Sequence, residues 1–135
     1  MRRQIRILIL LAFALLGLAF TAFAVELSDS EKEFLAKYEK VRSALAADDL
    51  AAAKKEAGAL GEEGAAISNA TEIAAARVGF AKLSEHAVPL ASGQSGYYVV
   101  NCPMLRKMWV QPAAEISNPY AGRAMLNCGV IKRRE

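Results

Sequence analysis

The sequence predicts an all-α domain: a three- or four-helix antiparallel bundle with an irregular C-terminal Cys/Met-bearing tail packed on it. Three observations predict this class. Apolar residues recur at three-four steps across residues 28–91, the period of one helical face. Serine, aspartate and asparagine stand at the starts of those stretches, where helix caps belong. Beyond residue 91, Pro103, Pro112, Pro119, Gly122 and Gly129 exclude long regular elements.

The first element is an export signal over residues 1–24. Arg2, Arg3 and Arg6 precede an uncharged apolar run that ends in Thr21-Ala22-Phe23-Ala24. A basic start, an apolar core and a small-x-small end are the marks of a secretory signal cleaved after Ala24. The competing reading is an uncleaved anchor, because Ile7–Val25 carries no charge and comes close to bilayer-spanning length. Under either reading the domain, residues 25–135, is periplasmic, in a compartment that permits disulfides. Contact with the membrane is expected only through the signal segment, if that segment stays uncleaved.

The first helix is expected at about 28–47. Ser28-Asp29-Ser30-Glu31 fits a capping box, and Phe34, Tyr38, Val41 and Leu45 share one face. Asp48-Asp49 break it and open a second helix at about 49–67, with Leu50, Ala53, Ala57, Leu60, Gly64 and Ile67 along its seam. Gly58, Gly61 and Gly64 weaken its end, since a helical glycine costs about 1 kcal/mol against alanine. Asn69-Ala70-Thr71-Glu72 resembles a second capping box before a helix at about 70–91, carrying Ile73, Ala76, Phe80, Leu83, Ala87 and Leu90. Alanine and glycine at many seam positions imply close helix approach and a thin core. The tail spans 97–130. It opens on the β-prone run Tyr97-Tyr98-Val99-Val100, with Trp109, Ile116, Tyr120 and Leu126 as its anchors.

Charge argues against a nucleic-acid partner. The formal +3 comes from the three arginines of the signal, and the remainder balances 14 Lys+Arg against 14 Asp+Glu. A phosphate-binding surface needs clustered, uncompensated basic charge. No acidic pair, phosphate-binding glycine loop or His-rich zinc pattern is present, so the chain is not expected to be an enzyme.

The distinctive chemistry is sulfur. The only cysteines, Cys102 and Cys128, each have a methionine nearby, Met104 and Met125. Thiolate and thioether are soft donors that select Cu(I) and related ions. Met108, Trp109 and His86 could extend that shell, with the indole shielding a bound cation. A lone helical histidine such as His86 is more often a half-buried structural residue than a ligand. The residues alone leave a second reading open. Two cysteines in an exported domain commonly pair, and a Cys102–Cys128 disulfide would stabilise it by roughly 3–4 kcal/mol. In that reading the methionines fill core gaps.

The segment Tyr98–Val130 resembles a bacterial exported domain of unknown function. That domain occurs alone or fused to periplasmic adaptors of Cus-type copper/silver efflux systems. The resemblance rests on Cys102-Pro103-Met104, on Trp109, and on the run Ile116-Ser117-Asn118-Pro119-Tyr120-Ala121-Gly122-Arg123-Ala124-Met125-Leu126-Asn127-Cys128-Gly129. A weaker similarity runs through Arg77, Phe80, Leu83 and Ser84. It implies copper(I) or silver(I) handling, with Cys102, Met104, Met125 and Cys128 as ligands and a metal-efflux adaptor or another envelope protein as partner. Leu105-Arg106-Lys107-Met108 is shorter than the family's usual Gly-containing turn, and Ala121 stands where a bulky aromatic is common. Asn118, Pro119, Tyr120 and Gly122 are read as a structural turn that aims the second cysteine. Without metal, the alternative function is a disulfide-stapled interaction domain that docks on an envelope partner.

Overall fold

A computed structural model describes residues 25–132. The signal and anchor readings of residues 1–24 lie outside the described residues. Among the described residues, no helix is long and apolar enough to cross a membrane.

Helix α1 (Asp29–Ala46) begins at Ser28, whose Oγ accepts from the Glu31 N–H at 3.3 Å while Glu31 Oε2 accepts from the Ser28 N–H at 2.7 Å. This reciprocal pair satisfies two donors that a helix start otherwise leaves open. The helix buries Leu35, Tyr38, Val41 and Leu45, and in the turn after it Asp48 takes a left-handed φ of 59°. Asp49 then caps α2 (Leu50–Gly58), its Oδ1 accepting from the Ala52 N–H at 2.9 Å.

The second helix is shorter than the seam predicts. It stops at Gly58, and the chain passes through a 3-10 turn (Gly61–Gly64) into the single-turn α3 (Ala65–Ser68). Gly61 supplies the left-handed φ of 61° that interrupts the spiral. Gly64 is required by contact, because a Cβ there would run into the Ala57 carbonyl. Helix α4 (Ile73–Ala91) starts from Glu72 with no side-chain cap, so the Asn69–Glu72 capping box does not form. It buries Ala76, Gly79, Phe80, Leu83, Ser84 and Ala87 and packs on α1 and α3.

The all-α expectation is corrected by the tail, which carries a sheet and is irregular only outside it. Strands β1 (Tyr98–Cys102), β2 (Lys107–Gln111) and β3 (Val130–Ile131) form an antiparallel sheet in the order β2-β1-β3. The fold is mixed, with helices dominant and the sheet lying on α4 chiefly through β2. Cys102 pairs with Lys107 and Val100 with Trp109, so Pro103–Arg106 is a tight four-residue hairpin loop. Its last residue, Arg106, adopts φ 51°. On the other side of β1, Val100 pairs with Ile131 and Asn101 with Val130. Val100, Cys102 and Trp109 enter the core beside Tyr38, Phe80 and Leu83.

Candidate functional site

The hairpin carries Cys102 to the end of the central strand, and the loop before β3 returns Cys128 to it. Their sulfurs lie 2.7 Å apart. Cys102 is fully buried and Cys128 is partly exposed. A 26-residue separation in sequence is thus closed to direct sulfur contact.

One buried side chain ties the two limbs together. Asn118, with no exposed surface, donates Nδ2 to the Cys128 carbonyl at 2.9 Å and also hydrogen-bonds the Cys102 sulfur. Its Oδ1 accepts from the N–H groups of Tyr120 (2.8 Å) and Ala121 (3.2 Å), closing an Asx-type turn. Its own N–H donates to the Leu126 carbonyl at 2.8 Å, and its carbonyl accepts from the Gly122 N–H at 3.1 Å. Gly122 sits at φ 57°, and a Cβ there would run into the Asp48 carboxylate.

The helices clamp this turn by its carbonyls. Arg77 on α4 donates to the Pro119 carbonyl at 2.8 Å, to the Leu45 carbonyl at 3.1 Å and to Asp48 at 2.6 Å. Asp48 also accepts from the Arg123 N–H at 3.0 Å. That backbone donor and Arg77 hold the Asp48 carboxyl below its ordinary range. Arg42 on α1 is buried, forks onto Glu39 at 2.6 and 2.7 Å, and donates to the Ser117 carbonyl at 2.6 Å. Buried Gln111 accepts from Trp109 Nε1 and the Ser117 N–H, and donates to the Ala113 and Glu115 carbonyls. Behind the turn, Ser84 Oγ lies 2.8 Å from the Tyr38 hydroxyl and 3.0 Å from that of Tyr120. Burial pushes both phenols up, that of Tyr120 to about 12.

The two thiols are inequivalent. Burial raises the Cys102 thiol, but the Cys128 S–H, the backbone N–H groups of Leu105 and Met104, and Asn118 outweigh it. Cys102 therefore lies below the ordinary thiol range. Hydrogen bonding to Cys102 pushes Cys128 up, with desolvation and the neighbouring charge adding to it. The first proton to leave the pair comes from Cys102, and Cys128 donates its S–H to the resulting thiolate.

The other expected residues are distributed differently. Met104 is 75% exposed at the hairpin tip. Met125 ends a 3-10 turn (Gly122–Met125), and its carbonyl accepts from the Cys128 N–H at 3.0 Å. Trp109 is a core residue rather than a lid: it is fully buried, its Nε1 binds Gln111 at 2.9 Å, and its ring meets Tyr120 edge-on. The indole does lie against the second limb, since a Cβ on Gly129 would come within 2.9 Å of it. Met108 is half-buried on β2, its carbonyl accepting from the Tyr120 hydroxyl at 3.0 Å. His86 is exposed, bonded to Glu63 at 2.8 Å and set against the Phe34 ring, and does not join the cysteines. Among the described residues, no group of three or more His, Cys, Asp or Glu side chains converges on one point.

Arg42, Asp48 and Gln111 carry the turn without any motif that marks them. The available signal is position: Arg42 follows the seam residue Val41, and Arg77 follows the seam residue Ala76. A cation at the margin of an apolar stripe is placed to reach across an interface. Compared with protein families, curated proteins and solved structures, the chain matches none.

Proposed function

We propose that this is an exported soft-metal module that takes Cu(I) or Ag(I) as cargo on Cys102 and Cys128, for sequestration or delivery linked to efflux. The observation that carries the reading is the meeting of the only two cysteines at 2.7 Å, fixed by Asn118. Two thiolates with thioethers in the adjoining turns form a soft donor set, which favours monovalent copper or silver over harder ions.

The cysteine pair would need one adjustment to hold a cation. Two sulfurs each about 2.3 Å from one ion at a tetrahedral angle stand about 3.8 Å apart, so the pair must open by about 1 Å. Cys102 sits at the end of strand β1, buried and fixed by the sheet. Partly exposed Cys128 is the side chain free to swing. Met104 at the hairpin tip and Met125 before the second limb are the candidate thioether donors, and the exposure of Met104 suits handover to an envelope partner such as an efflux adaptor.

The same 2.7 Å contact favours a second reading, a Cys102–Cys128 disulfide that staples β1 to the loop before β3 in a metal-free interaction domain. Anaerobic competition for Cu(I) against a chromophoric chelator separates the two. The metal reading expects the reduced protein to withdraw Cu(I) from the chelator and a Cys102→Ser/Cys128→Ser variant to lose that capacity. Equal withdrawal by both proteins, or none by the reduced wild type, would sink it.

A further inference from the structure

We propose that the oxidised Cys102–Cys128 pair is opened by directional thiol–disulfide exchange, with an incoming thiolate attacking Cys128 and Cys102 leaving. Exchange needs the nucleophile, the attacked sulfur and the leaving sulfur in line, and its rate depends on access and on stabilisation of the leaving thiolate. The two limbs differ in access. Cys102 is fully buried and Cys128 is partly exposed, so an incoming thiolate meets Cys128 first.

The electrons balance as follows. A thiolate R–S⁻ forms a bond to Cys128 Sγ, the Cys102–Cys128 bond breaks, and its electron pair leaves on Cys102. A second R–S⁻ then attacks the sulfur of R in the mixed disulfide, releasing Cys128 as a thiolate and R–S–S–R. Two thiols are oxidised, and the protein gains two electrons and, on neutralisation, two protons. The co-reactant is a small thiol or an exposed dithiol. A bulky reductant has only the Cys128 side to work from. The pair is thereby a reducible gate rather than a permanent staple, and this holds whether or not the reduced form takes metal.

The test uses the oxidised protein, treated with glutathione in the presence of a metal chelator. Reactions are stopped with acid and an alkylating agent, and adducts are located by peptide mass mapping. The proposal expects a transient glutathione adduct on Cys128 in at least about tenfold excess over Cys102, followed by complete conversion to dithiol. Adducts shared equally or found on Cys102 would overturn the direction. A pair that resists millimolar glutathione while an exposed peptide disulfide is fully reduced would overturn the gate. Because no metal takes part, failure of Cu(I) uptake and failure of exchange are separate results.

Discussion

Replacing Asn118 with alanine removes the one side chain that touches both cysteine limbs and the turn between them. Three backbone groups lose their partner: the Cys128 carbonyl and the N–H groups of Tyr120 and Ala121. An orphaned buried polar group costs about 1–3 kcal/mol. Tyr120, Ala121 and Cys128 are all partly exposed, so water recovers part of that loss. The expected net cost is then about 3 kcal/mol, the low end of the range for three such groups. For a domain of this size, that lowers the melting temperature by roughly 12 °C. Circular dichroism follows the helices, and the fluorescence of the single tryptophan, packed against Gly129, follows the second limb. Asn127→Ala is the control, because Asn127 is exposed in the same loop and should change stability by no more than about 0.5 kcal/mol. If Asn118→Ala melts within about 3 °C of wild type, Asn118 does not hold the site together and the reasoning fails.

Three further outcomes follow from the same geometry. Gly122→Ala places a side chain at φ 57° and against Asp48, and should cost about 3 kcal/mol in urea denaturation, combining left-handed strain with loss of the Asp48 contacts; a cost below about 1 kcal/mol contradicts it. Tyr38→Phe orphans the Val110 N–H on edge strand β2, which donates to the Tyr38 hydroxyl at 3.2 Å, and should lower stability by about 1–3 kcal/mol; an unchanged urea midpoint rejects that role. The Asp48 carboxyl is depressed in the folded state, so its stabilisation is complete above the unfolded value of about 3.9 and is lost as pH falls through the lower folded value. Wild type should therefore lose stability across this acid range faster than Asp48→Asn, and parallel pH profiles would refute the linkage.

The helices were legible because their signals are local. Ser28 and Glu31 lie three residues apart, Asp49 stands at the head of α2, and the Phe34–Leu45 face repeats within one element. The end of α2 was legible only as a weakness. The positive φ of Gly61 and the close approach of Gly64 to Ala57 turn that weakness into a break. The sheet was hidden for physical reasons. Strand β2 reads Lys-Met-Trp-Val-Gln and buries three consecutive residues, Trp109, Val110 and Gln111, so it shows no alternation. Strand β3 has two residues, too few for any period. The hairpin turn places arginine rather than glycine at its left-handed position, which removes the usual turn signal. At the site, the two cysteines stood out by scarcity. The hold on them did not, because Arg42, Arg77 and Asn118 each reach a backbone carbonyl distant in sequence, which no side-chain pattern encodes.

The most direct test of the metal reading is X-ray absorption at the copper edge of the Cu(I)-loaded protein, compared with its Cys102→Ser variant. The expected result is an all-sulfur first shell in the wild type that loses a sulfur scatterer in the variant. A shell of nitrogen or oxygen donors, or one unchanged by the substitution, would contradict the assignment of Cys102 and Cys128 as the cargo site.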